Sequence, residues 1–223
     1  MKILGINGSP RGSRSQTLRL VNAVLDGARS AGADVEFVDI CRLDIEYCKG
    51  CTVCYERGEC VKFDDFPGLY EKMLASDGIV LGSPNYIDSV SAQIKTMLDR
   101  MADAIHCQAF VGKYGCAVST AGGSGADEVV AYLNGVLQTL GANTVGGIGV
   151  VFGGDPEAIV PAEGEAYELG KDLVRAIKNK ETYPDQEKRH AEMFERMRAL
   201  VLANKDRWQH EYDHWVASGW ISE

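Results

Sequence analysis

An α/β fold built on a five-stranded, doubly wound parallel sheet is what this 223-residue chain predicts, on two observations. Five short apolar runs rich in β-branched residues alternate with longer amphipathic runs. The intervals between them are long enough for right-handed parallel crossovers, which need a dozen or more residues and cover both sheet faces with helices.

The first strand is Lys2 to Asn7, and after a Ser- and Gly-rich loop a helix runs from Gln16 to Ser30, with Leu18, Val21, Leu25 and Ala28 near one stripe. Asp34 to Ile40 is the second strand. The interval from Cys41 to Ser76 exceeds a simple crossover, so it reads as a compact cysteine-rich insertion over 41–62 followed by a short helix. Gly78 to Ser83 is the third strand, and Ser91 to Ile105 a helix carrying Ile94, Met97, Leu98 and Met101 on one side. Tyr114 to Thr120 and Val145 to Phe152 supply strands four and five, each followed by a helix, Asp127 to Leu140 and Glu163 to Ile177. These elements form one domain over 1–180. Residues 181–223 form a charged helical extension of one or two helices, in which Met193, Met197, Leu200, Val201, Trp208, Tyr212 and Trp215 recur at three- and four-residue steps. Such a stripe needs a partner surface, and a neighbouring subunit is expected ahead of its own domain or the border of a substrate pocket.

Twenty-three Lys and Arg against 32 Asp and Glu give a net charge of -9, with no basic stretch to neutralise a phosphate backbone. That argues against nucleic acid as a partner. No apolar run approaches the roughly 20 residues that span a bilayer, and the chain opens on a strand instead of a signal peptide, so a cytoplasmic protein without membrane contact is expected. Seven cysteines without a secretion signal point to metal or redox chemistry and away from a disulfide scaffold. Cys41, Cys107 and Cys116 lie in apolar surroundings and read as buried packing residues.

The other four, Cys48, Cys51, Cys54 and Cys60, fall within thirteen residues. Short Cys-x-x-Cys steps gather sulfurs in one turn, as an iron–sulfur cluster requires, and Gly50 and Gly58 let the backbone bend there. All-cysteine zinc sites use the same residues, so the spacing alone leaves the metal open.

A second constellation follows the first strand. Ser9, Arg11, Ser13, Ser15, Gln16 and Thr17 surround the start of the first helix, where backbone N–H groups and the helix dipole favour an anion. A loop crowded with hydroxyls suits the three oxygens of a terminal phosphate monoester better than a dinucleotide pyrophosphate, which favours FMN over NAD or FAD. Pro84, Asn85, Tyr86 and Ile87 follow strand three, and Thr120, Ala121, Gly122 and Gly123 follow strand four, at the same carboxyl edge of the sheet. Tyr86 offers a face for a flat ring, and the Gly122–Gly123 backbone offers donors to its edge. The pattern Gly123-Ser124-Gly125 fails as a nucleophile elbow because Ala126 takes the last position, so Ser124 reads as the start of a helix. His106, His190, His210 and His214 show no metal spacing with the cysteines and take surface or packing roles.

Gly-Ser-Pro-Arg, Ser-x-Thr, Ser-Pro-x-Tyr, Lys95 and Asp99-Arg100 together resemble the NADPH-dependent FMN reductase family of flavodoxin-like proteins over roughly 1–180. Within it the cysteine run followed by Asp64-Asp65 resembles the iron-sulfur flavoproteins. The resemblance implies a strand order of 2-1-3-4-5 and a 4Fe-4S cluster on Cys48, Cys51, Cys54 and Cys60. It also implies an FMN phosphate on Ser9, Arg11, Ser15, Gln16 and Thr17, with the flavin ring between Pro84–Ile87 and Thr120–Gly123. NAD(P)H as donor, a small-molecule acceptor or a ferredoxin-like redox partner, and a homodimer or homotetramer follow from the same resemblance. Gln16 stands where the family often has Asn, and Asp88 where a Gly is often found, placing a carboxylate near the flavin edge.

The expected function is an FMN-dependent oxidoreductase with a cluster, converting between two-electron and one-electron partners; no side chain need act as a nucleophile. Two alternatives remain: an NAD(P)H-dependent FMN or quinone reductase without a cluster, and a zinc-binding redox-sensing module.

Overall fold

A computed structural model describes residues 1–222. Its strands are β1 (Lys2–Asn7), β2 (Asp34–Asp39), β3 (Gly78–Pro84), β4 (Tyr114–Ala121) and β5 (Asn143–Val151). They form one parallel sheet in the order β2-β1-β3-β4-β5. The helices are α1 (Gln16–Ser30), α2 (Val53–Arg57), α3 (Phe66–Leu74), α4 (Ala92–Asp99), α5 (Ala102–His106), α6 (Ala126–Thr139), α7 (Val160–Asn179), α8 (Pro184–Asn204) and α9 (Gln209–Ala217). Among the described residues no helix is long and apolar enough to cross a membrane.

Every residue of β3 and β4 is buried, as central parallel strands covered on both faces must be, while the edge strands β2 and β5 are half-exposed. Alternation along β1 divides the core in two. Ile3 faces α1 and α7, joined by Val80 and Val118; Leu4 and Ile6 face α3 to α6, joined by Ile79 and Leu81. The five strands and their order match the expectation, with ends displaced by at most two residues.

Three local features differ from it. The helix expected over 91–105 is two helices, because the chain tightens at Arg100 and Met101, whose N–H groups bond three residues back to Met97 and Leu98 at 3.1 and 3.0 Å. The cysteine segment holds a one-turn helix, α2, where none was expected. Ser124 does not open α6; Gly125, in the left-handed region at φ +80, precedes it.

Part of the tail stripe is buried by its own chain. Trp215 is buried with Met197, Val201 and Ile221, and its indole N–H donates to His106 O at 2.8 Å. Trp208 stacks on His106 at 5.0 Å and meets Tyr55 of α2 at 4.9 Å. The tail thus braces α5 and the cysteine segment together.

α1 and α7 approach closely where glycines remove side chains: a Cβ on Gly27 would land on the backbone carbonyl of Tyr167, and one on Gly170 on that of Val24. Backbone cannot swing aside as a side chain can. Gly27→Ala, which raises helix propensity by about 1 kcal/mol, is therefore expected to lower stability by about 1–3 kcal/mol through overpacking. Urea unfolding of the two proteins checks this, and an unchanged or higher midpoint contradicts it.

Candidate functional site

The carboxyl edge of the sheet carries an open cleft. Ser15 caps α1, its Oγ accepting the Leu18 N–H at 3.0 Å. The N–H groups of Gln16 and Thr17 at the first turn have no intrahelical acceptor, and the helix dipole adds its positive end there. A hydroxyl bond of 2.7 Å between Thr17 and Thr120 ties this turn to the end of β4. The Asn85 N–H donates to Thr120 O at 2.8 Å, drawing in the loop after β3. Buried Asn7 accepts the Ser9 N–H on Oδ1 at 3.4 Å and leaves Nδ2 without a partner among the described residues. The donors of this edge are thus held under the loop with capacity to spare, which fits an anionic phosphate.

Of the residues singled out in the sequence, Ser9, Arg11, Gln16, Thr17, Pro84, Asn85, Tyr86, Thr120 and Gly122 line the cleft. Ser13, Ser15, Ile87, Ala121 and Gly123 do not. Ser13 sits exposed on a 3-10 turn, and Ser15 is buried in capping the helix. Ile87 is fully exposed, in the left-handed region at φ +51, as is Asp88 at φ +56. A Tyr86 N–H to Ser89 O bond of 2.9 Å closes this strained turn, and Asp88 lies against Asn85 and Gly125. Phe152, just past β5, joins the lining and was not anticipated, since nothing in its local sequence separates it from a strand end.

The second site is a small pocket on the insertion whose lining includes Cys48, Cys51, Cys54 and Cys60. All seven cysteines are free of disulfides. Gly50 and Thr52, at φ +63 and +62, turn the chain into α2, which carries Cys54; Gly58 ends it at φ +73, packed on His210 of α9. The donor set, four cysteines lining one pocket, fits an iron–sulfur cluster or another thiophilic metal.

Asp64 closes the base of this segment. Its carboxylate accepts the N–H groups of Glu46 and Phe66 at 3.0 and 3.1 Å and two bonds from Arg100, at 2.5 and 3.3 Å. Asp65 adds a second clasp by accepting the Asp44 N–H at 2.8 Å. Burial works to raise the Asp64 pKa, and the Arg100 and backbone bonds outweigh it, holding the carboxyl below its ordinary value. Burial first, then the nearby Asp103 charge, pushes the Cys54 thiol up to about 12.

Behind Cys54 the sequence reading missed a buried polar group. Asp103, Cys107 and His210 bring an oxygen, a sulfur and a nitrogen within 4.8 Å of one another, and His106 pairs with buried Glu211 at 2.8 Å. Cys107 and Cys116 are buried as expected, whereas Cys41 is half-buried.

Residues 1–157 match the family model described as NADPH-dependent FMN reductase. An iron-sulfur flavoprotein of Archaeoglobus fulgidus is 33% identical over 227 aligned positions, covering 99% of this chain and all of the relative. Iron-sulfur flavoprotein MJ1083 of Methanocaldococcus jannaschii is 42% identical over 100 residues, 45% of this chain and 51% of that protein. Among solved structures, a flavone reductase superposes with a TM-score of 0.65 at 21% identity, over 80% of this chain and 63% of that one. An NAD(P)H:quinone oxidoreductase from Methanothermobacter marburgensis gives 0.61 at 18%, over 78% and 96%. A flavodoxin from the domain Archaea gives 0.54 at 17%, over 80% and 99%, so the fold is flavodoxin-like. With the cleft at its switch point and the match over most of its length, the chain belongs to the NADPH-dependent FMN reductase family and is a flavin-dependent oxidoreductase.

Proposed function

We propose that this flavoprotein carries a 4Fe-4S cluster on Cys48, Cys51, Cys54 and Cys60 and passes electrons between a two-electron and a one-electron partner. The four cysteines that line one pocket, in a chain that also carries a cleft suited to FMN, carry the reading. The names of the curated relatives support it.

FMN exchanges a hydride as an electron pair and releases electrons singly, and a 4Fe-4S cluster takes one. Everything else is positioning by the chain. The α1 N-terminus, Ser9, Arg11 and Thr17 bind the phosphate; Tyr86 and Phe152 bound the ring, and the backbone at Gly122 presents donors to its edge. NAD(P)H as the reductant accords with the family. The surplus of acidic residues disfavours docking of an acidic ferredoxin and favours a small-molecule acceptor.

The two sites occupy opposite ends of α4. Gly8 of the phosphate loop packs on Ser91 and Ile94 at its start, while Asp99 and Arg100 at its end line the cysteine cavity. Eight helical residues span about 12 Å, so each site is remote from the other within one chain. Fully exposed Phe63, exposed Tyr47 and Val61 surround the cysteine segment, and exposed Tyr86 and Ile87 rim the cleft. These surfaces favour a homodimer or homotetramer in which the cysteines of one subunit face the cleft of another.

Cys51→Ser is expected to lose most of the bound iron while keeping FMN, because the two sites use different loops. Iron and flavin assays of the purified variant check this, and full retention of cluster absorbance contradicts the ligand assignment. Because thiols must lose protons on ligation, and Cys54 holds its proton up to about 12, iron loading of the apoprotein is expected to strengthen as pH rises. Iron uptake that is flat between mildly acid and mildly alkaline pH contradicts it.

A further inference from the structure

We propose that Arg100 donates its Nε–H to a ligand cysteine sulfur when the cysteine pocket holds its cluster, and so sets the potential at which that cluster takes up an electron. The inference rests on the cluster reading above.

Arg100 and Asp64 are each only 1% exposed at the side chain, and the guanidinium is fixed on every other side. Nη1 donates to Asp64 and to Glu46 O at 2.9 Å, Nη2 donates to Asp64, and the plane lies over the Phe66 ring at 4.6 Å. Among the described residues Nε alone has no partner, although it is buried. A buried donor of this kind requires an acceptor. Arg100 lines the same pocket as the four cysteines, so a ligand sulfur there is the acceptor within its reach.

A hydrogen bond to a ligand sulfur stabilises the more negative, reduced cluster and raises its potential. Asp64 offsets the charge of Arg100, so what reaches the sulfur is a directed N–H more than a net positive field. Removing the donor lowers the potential, and removing the Asp64 charge while keeping the donor raises it.

The test begins by counting iron and sulfide per chain. Protein prepared with ¹⁵N-arginine is then reduced by one electron per cluster with dithionite and studied by pulsed EPR. An arginine nitrogen coupled to the reduced cluster is expected, and Arg100→Lys abolishes it. At fixed potential Arg100→Lys shifts the reduced-to-oxidised ratio down about tenfold, about 59 mV for a one-electron couple, while Asp64→Asn shifts it up. A loaded cluster without arginine coupling overturns the role of Arg100 even where the variants fail to fold, because the unaltered protein decides it. A loaded Arg100→Lys protein with unchanged potential does the same. A chain that holds no iron overturns the cluster reading, and this inference with it.

Discussion

A buried ion pair between Arg100 and Asp64 governs how the cysteine segment is held on an otherwise regular α/β scaffold. Burying two charges costs several kcal/mol each and is offset only by good geometry and full hydrogen bonding. Asp64 meets that demand with four accepted bonds, from Arg100, Glu46 and Phe66. One carboxylate thereby joins the two ends of the segment to the end of α4. The same anchoring draws the Arg100 side chain aside where the helix tightens and breaks. A loop of glycines and cysteines has little apolar surface to hold it, so a polar clasp takes the place of a core.

From the clasp follows the layout of the two sites. α4 starts at the phosphate loop and ends at the cysteines, so its length separates the cleft from the thiol cavity. The tail completes the support from outside: Trp208, His106 and Tyr55 form an aromatic stack that presses α2 against α5, and Trp215 anchors that contact in the tail's own small core. The extension, although outside the sheet, belongs to the machinery that shapes the cysteine site.

Much of this was legible in the sequence, for identifiable reasons. Strand alternation and helix stripes are local signals, and they located all five strands and the helices that cover the sheet. The phosphate loop and the four cysteines are also local, since their chemistry depends on residues within a turn or two of one another. Arg100 was visible only as part of a family motif; its partner Asp64 is 36 residues away, a pairing that no periodicity encodes. Phe152 and the polar group around Asp103 are likewise assembled by distant elements. Ser13 and Ile87 lie outside the cleft lining, a detail hidden from the sequence because irregular loops have no period from which to read the direction of a side chain. The tail stripe announced a buried face without naming its partner, and its own chain supplies it.

The central claim is that one chain holds both a flavin and an iron–sulfur cluster. Its most direct test is anaerobic purification with iron, acid-labile sulfide, zinc and FMN quantified per chain on one sample. The account predicts about four irons and four sulfides with about one FMN. FMN without metal would contradict the cluster, and zinc without flavin would contradict the whole account.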